Sequence, residues 1–184
     1  MTRSASLASA ASAAAFLAAR DEADSPRFRA RMGALAGSAL LAQDRASEAL
    51  AALEAAQPLA AGDATLGSEI AQERAVALVA LGRESDAAAA LVQARTLGPD
   101  DAQAWLLSAT LARRQGDLAA AQAQIEKAAS LDPRDPSIGL EAGVIAALGG
   151  RDAAARQSFQ SVISAAPESP QAATARTYLA QLSQ

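Results

Sequence analysis

Cysteine, histidine and asparagine are all missing from this 184-residue chain. The first absence excludes disulfides and thiolate chemistry, the second imidazole ligands and the commonest general base, and the third glycosylation on asparagine. Aromatic side chains are scarce too. Phe16, Phe28, Trp105, Phe159 and Tyr178 are the whole set, so any core must be assembled from small aliphatic groups. Positive charge is also short: fifteen arginines and a single lysine, Lys127, stand against 20 carboxylates, for a net charge of −4. That balance gives no cationic surface for nucleic acid or anionic lipid. Arg20, Arg27, Arg29 and Arg31 beside Phe28 are the one local exception, and they read as a solvated helix start.

Long apolar runs are lacking as well. The uncharged stretch from Ser4 to Ala19 is diluted by Ser4, Ser6, Ser9 and Ser12 and falls short of the roughly 18 to 20 apolar residues that a membrane span needs. No membrane span is expected. Arg3 followed by small apolar residues fits a secretory leader loosely, and an ordinary amphipathic helix better. The cytoplasm is therefore the expected location, with the periplasm as the alternative should the first ~20 residues act as a leader.

What is abundant is alanine, 55 residues of it, within a chain that is 51% apolar and 20% charged. Alanine is the best helix former, and this balance is globular rather than disordered. The excess of alanine, and of arginine over lysine, also resembles coding in a GC-rich bacterial genome. Glycines recur at Gly82, Gly116 and Gly150 and prolines at Pro99, Pro133 and Pro167, each interval being 34 residues. Ala87, Ala121 and Ala155 keep the same step, each followed four positions later by a larger residue: Leu91, Ile125 and Phe159. Such a period is the mark of stacked helix pairs. Asp135-Pro136 and Ser169-Pro170 supply N-caps followed by the residue best tolerated at the first helical position, Gly116-Asp117 ends one helix and caps the next, and Asp132-Pro133 stops a helix.

The stretch from Ala102 to Pro133 resembles a tetratricopeptide repeat, with Trp105, Ala109, Gly116, Ala121, Ile125, Ala128 and Pro133 on that family's signature positions. The resemblance implies an all-α chain, an α-solenoid of antiparallel helix pairs. In this frame residues 1–29 form an N-terminal helical segment, and residues 30–169 form four repeats: a degenerate one at 30–67, then 68–101, 102–135 and 136–169. Residues 170–184 form a C-terminal capping helix over Phe159, Val162 and Ile163. In the first repeat Gly37, Leu40, Ala49, Leu53 and Ala56 occupy matching positions, but the second starts four residues late, which predicts a longer connection from Pro58 to Gly67. Small residues at Ala75, Ala109 and Gly143 are expected opposite Ala87, Ala121 and Ala155, where two helix backbones approach. The chain departs from the family pattern at Gly139, which stands where Trp105 stands one repeat earlier, and at Arg74, Ser108 and Ala142, which replace the usual leucine.

Chemistry for catalysis is not apparent. There is no phosphate loop, zinc spacing, nucleophile elbow or calcium loop. The acidic groups at Asp21-Glu22, Asp100-Asp101 and Asp132/Asp135 read as helix caps, and Gly149-Gly150 as a turn. The chain is accordingly expected to be no enzyme and to carry no metal and no cofactor. Trp105 is expected in the core, while Tyr178 has no following repeat to cover it.

Function follows from the resemblance. Tetratricopeptide arrays bind through a concave surface lined by the first helix of each pair, which here places Gln72, Val76, Val79, Leu106, Thr110, Arg113, Leu140 and Val144, with Ala147, on the partner-binding groove. That surface is neutral and apolar, suited to a peptide or helix of a protein partner, with Arg113 and Glu69 or Glu73 setting its orientation. On this reading a carboxylate at Leu106 is expected to lower affinity by about 2 kcal/mol or more without entering the core, leaving folding little changed. The clamp of Lys, Asn and Arg with which one branch of the family grips an acidic C-terminus is not reproduced, since asparagine is absent and Lys127 lies on a second helix. The expected function is a protein interaction scaffold or adaptor. The alternative is a self-associating structural or assembly component, for instance of a bacterial envelope complex, forming a homo-oligomer through its terminal helices.

Overall fold

Alanine propensity and side-chain caps together settle where the helices run. The computed structural model of the protein describes residues 2–22 and 24–182, and among these there is no strand. The helices are α1 (Thr2–Asp21), α2 (Pro26–Leu41), α3 (Ala46–Ala56), α4 (Ala64–Ala80), α5 (Glu84–Leu97), α6 (Ala102–Arg114), α7 (Leu118–Leu131), α8 (Pro136–Leu148), α9 (Asp152–Ala165) and α10 (Pro170–Gln181), with a 3-10 turn at Gln57–Ala60. Met1, Ala23, Ser183 and Gln184, which belong to the expected terminal segments, lie outside the described residues.

The chain divides into two compact units, Met1–Pro99 and Asp100–Gln184. In the first, α1 packs on α2, α2 on α3, α3 on α4 and α4 on α5. In the second, α6 packs on α7, α7 on α8, α8 on α9 and α9 on α10. The even 34-residue step does not announce a division between Pro99 and Asp100, because it reports the repeat of local packing and not the strength of each junction.

Four carboxylates and a serine start helices by accepting a backbone N–H: Asp63 from Leu66 at 3.1 Å, Asp101 from Gln103 at 3.0 Å, Asp117 from Ala120 at 2.9 Å, Asp135 from Ser137 at 2.6 Å and Ser169 from Ala172 at 3.0 Å. Each satisfies a donor that the first turn leaves orphaned. Asp132 accepts from Arg134 N–H at 3.2 Å in the turn between α7 and α8. These acidic residues are structural punctuation.

Within each helix pair the turn is closed in one way. Arg83, Asp117 and Arg151 donate backbone N–H groups to the carbonyls of Leu78, Ala112 and Ala146, each across a glycine in the left-handed region: Gly82, Gly116 and Gly150, at φ 73°, 80° and 69°. In the first pair Arg45 N–H donates to the Leu40 carbonyl across Asp44, at φ 58°. The left-handed region costs most L-residues about 1 to 2 kcal/mol, and aspartate less. Asp44→Gly is therefore expected to raise the chemical denaturation midpoint, by about 0.5 kcal/mol after the added freedom of the unfolded chain is deducted, and Gly116→Ala to lower it by about 1 kcal/mol. A lower midpoint for Asp44→Gly would mean that the aspartate side chain stabilises this turn.

The link from the first pair to the second is shorter than the sequence implies. The 3-10 turn Gln57–Ala60 leads through Ala61, Gly62 and Asp63 into α4, so residues 64–67 form an extra first turn of that helix. The four additional residues are folded into structure and do not lengthen the loop.

Two contacts hold the helices of a pair together, and the glycines reveal both. A Cβ on Gly37 would lie 2.5 Å from Leu53 Cγ, and one on Gly143 would enter the Phe159 ring. These positions correspond to Ala75/Leu91 and Ala109/Ile125. The small first-helix residue thus faces the large second-helix residue. At the other contact a Cβ on Gly33 would meet Ala56 at 2.9 Å, and one on Gly139 would meet Val162 at 2.6 Å. There the pair preceding α8 and α9 carries Trp105 and Ala128, both packed in the cluster of Leu106, Ala109, Ile125, Ile138 and Ile145. Volume is exchanged across the contact: Trp with Ala, Gly with Val. Gly139 is thus no defect in the array, because Val162 fills the space that the indole fills one repeat earlier.

Against α9 lies α10, whose Ala172, Ala175, Tyr178, Leu179 and Leu182 pack with Phe159, Val162 and Ile163. Tyr178 stacks on Phe159 with ring centroids 5.4 Å apart. Its ring is a core contact and not a free anchor for a partner.

Candidate functional site

The first helices of the first unit are α2 and α4, and each carries a stripe spaced four and then three residues, hence on one helical face. On α2 the stripe is Arg31, Leu35 and Ser38, and on α4 it is Glu69, Glu73 and Val76. Arg31 Nη1 donates to Glu69 Oε2 at 3.2 Å, and the Ser38 hydroxyl donates to the Glu73 carboxylate. The polar members therefore satisfy one another across the two helices. Burial pushes the Glu73 carboxyl above its ordinary pKa, and the Ser38 hydrogen bond opposes that shift. What remains open is apolar: Leu35 is 37% and Val76 40% exposed. Val79 is half-buried one turn beyond.

Gln72 does not belong to this open surface. It is buried, and its Nε2 donates to the buried Ser68 hydroxyl at 3.2 Å. The basic cluster at the start of α2 is largely neutralised, since Arg27 Nε donates to Asp63 Oδ2 at 2.7 Å and Arg31 holds Glu69. Phe28 beside them is exposed.

In the second unit the expected groove residues separate more sharply. Leu106 is only 7% exposed and belongs to the core with Ile125, Ile138 and Ile145, so its expected place on an open binding surface is corrected. It is covered because α6 and α8 neighbour each other and Ile138 and Ile145 of α8 close over it. Leu140 and Val144 are partly buried against the Phe159 cluster, and Thr110 is half-buried. Arg113 Nε donates to Glu141 Oε1 at 2.6 Å in a pair whose side chains are mostly covered. Its charge is already engaged inside the protein and does not wait for a partner. Leu148, at the end of α8, is exposed.

Leu35, Phe28 and Leu148 are exposed apolar residues that the sequence frame did not single out. Leu35 was obscured by the four-residue phase slip of the first repeat; shifting the frame by that slip places it in register with Glu73 and Leu107. Chemically these surfaces offer apolar contact flanked by satisfied polar pairs. Among the described residues no group of three or more acidic, histidine or cysteine side chains could hold a metal ion. Among them, too, no helix is long and apolar enough to cross a membrane.

Antiparallel helix pairs repeating every 34 residues, each closed by a left-handed glycine and packed small against large, define an all-α protein of the α-solenoid class. The tetratricopeptide repeat family model matches residues 73–136 and again 106–172, together more than half of the chain. The chain belongs to the tetratricopeptide repeat family.

Solved structures agree on the fold. The tetratricopeptide protein TTC0263 of Thermus thermophilus superposes with a TM-score of 0.70 at 18% identity, over 83% of this chain and 80% of that one. YrrB, described as a tetratricopeptide protein with an unusual peptide-binding site, gives 0.64 at 21% identity over 80% and 74%. The tetratricopeptide domain of Arabidopsis OM64 gives 0.59 at 19% identity over 64% and 98%. At these identities the likeness is one of fold. No curated protein matches the chain in sequence.

Proposed function

We propose that this protein is a non-catalytic interaction scaffold that holds a peptide or helical segment of a partner against the first-helix faces of its repeats. The observation that carries this reading is the face shared by α2 and α4. Arg31 is paired with Glu69 and Glu73 with the Ser38 hydroxyl, and Leu35 and Val76 are left exposed between and beyond those pairs. Such a surface gives up little hydration when an apolar side chain covers it. A fold relative described by its peptide-binding site supports the same use. Thr110, Leu140 and Val144 are the corresponding contacts on the second unit, and Leu148 extends them.

The test is a partner recovered by affinity capture with the tagged chain and identified by mass spectrometry, then titrated by calorimetry. Leu35→Asp and Val76→Asp place a carboxylate where apolar contact is expected, so affinity should fall by about 2 kcal/mol or more. Folding should change by no more than about 0.5 kcal/mol, since both positions are exposed. Binding should also be nearly insensitive to salt. A partner that binds both variants as tightly as the parent uses another surface.

A further inference from the structure

Two acids occupy the same place in the repeat and meet different partners. Glu141 of α8 stands two 34-residue periods after Glu73 of α4. From the preceding first helix, α6, Glu141 receives a cation: Arg113 Nε donates to its Oε1 at 2.6 Å. From the preceding first helix, α2, Glu73 receives the neutral Ser38 hydroxyl. Once the four-residue slip of the first repeat is allowed for, the α2 residue that corresponds to Arg113 is Leu41, which is partly buried and packs with Leu40 and Ala49. Arg31, the basic residue of the α2 stripe, is bound to Glu69, and among the described residues no ion pair includes Glu73. The chain thus shows what an acid at this place takes, and does not itself supply it to Glu73.

The surroundings give that difference its weight. Glu73 is half-buried, and burial pushes its carboxyl up. One hydroxyl is a single donor to a group that accepts several. Leu35 of α2 lies in register with Glu73, and Val76 follows it by three residues on α4, both open. A segment laid on Leu35 and Val76 therefore also covers the carboxylate between them and removes its remaining water. A covered carboxylate without a counter-charge is strongly disfavoured, whereas one that faces a cation there makes a short charge-assisted hydrogen bond.

We infer that the partner segment held by the α2–α4 face carries a basic side chain set among apolar ones, the cation on the Glu73 carboxylate and the apolar neighbours on Leu35 and Val76. This rests on the reading of that face as the interaction surface and adds the partner's chemistry to it. An acidic segment would meet Glu73 with a like charge and would find Arg31 already engaged. A single covered pair is screened far less than exposed charges, so it adds little salt dependence to an otherwise apolar contact.

The probe is a phage-displayed library of random dodecapeptides selected on the full chain, with the selection repeated on Glu73→Gln, which keeps the length of the side chain and an acceptor for Ser38. Peptides that bind the α2–α4 face are recognised by losing about tenfold or more in affinity on Leu35→Asn and Val76→Asn, which are polar without adding a charge. These peptides are expected to carry Arg or Lys among apolar residues, and those selected on Glu73→Gln to lack it. The strongest is then synthesised in two forms, with its basic residue and with the neutral isostere, citrulline for arginine or norleucine for lysine. By calorimetry the neutral form should bind the parent at least about tenfold more weakly, and Glu73→Gln to within about twofold of the basic form. The comparison on the parent alone decides the matter should Glu73→Gln fail to fold. Face-directed peptides without a basic residue, or a neutral form that binds the parent equally, would overturn the inference and leave the interaction face standing. An equal loss on a folded Glu73→Gln would place the cation elsewhere and overturn it too. Peptides indifferent to Leu35→Asn and Val76→Asn, or no binding peptide at all, would overturn both the face and the inference.

Discussion

Leu106→Asp is expected to unfold the second unit under conditions in which the parent is fully native. The side chain is buried among Ile125 of α7 and Ile138 and Ile145 of α8, so the substitution removes contacts within one pair and between that pair and the next. Losing a buried leucine costs about 1.5 to 3 kcal/mol in transfer alone. Burying a carboxylate without a partner adds several kcal/mol or forces its protonation. The sum is comparable to the whole stability of a small domain, about 5 to 15 kcal/mol. The desolvated acid has a folded-state pKa above its unfolded value, so the native form binds the proton more tightly and the variant should be least unstable at low pH, losing ground as pH rises toward neutrality. Leu106→Met keeps the volume and should cost less than about 1.5 kcal/mol. Urea denaturation followed by circular dichroism reads all of these. A Leu106→Asp midpoint equal to the parent's would place Leu106 on the surface after all, whereas Val76→Asp is the substitution expected to behave that way.

Leu106 also shows why the fold was easier to read than the surface. Turn glycines, caps and the small-to-large step are local requirements, met inside one repeat, so their 34-residue recurrence is visible in one chain. Whether a first-helix residue is open depends on its neighbours in the adjoining pair. Gln72, Leu106 and Leu140 share one frame position, yet Gln72 is buried on Ser68, Leu106 lies under Ile138 and Ile145, and Leu140 is only partly covered. The engagement of Arg113 with Glu141 is of the same kind, since the two lie 28 residues apart on different repeats.

The contact between Gly143 and Phe159 should show the largest coupling in the protein. Phe159 is 1% exposed, lies on Gly143 and stacks on Tyr178. Phe159→Ala removes a buried ring and should cost about 3 to 5 kcal/mol. Gly143→Leu should cost about 3 kcal/mol, at the upper end for overpacking, because the added side chain has no path around the ring, even though leucine is the better helix former by most of 1 kcal/mol. The double variant should be much more stable than the sum of these costs, by about 2 kcal/mol or more, because each change relieves the other. The chain itself supplies the precedent: at the neighbouring contact it places Trp105 with Ala128 in one repeat and Gly139 on Val162 in the next, exchanging large for small between equivalent helix pairs. A double-mutant cycle by urea denaturation measures the coupling. Costs that add to within about 0.5 kcal/mol would mean the two residues do not share one space, and the volume-exchange account of these helix pairs would then fail.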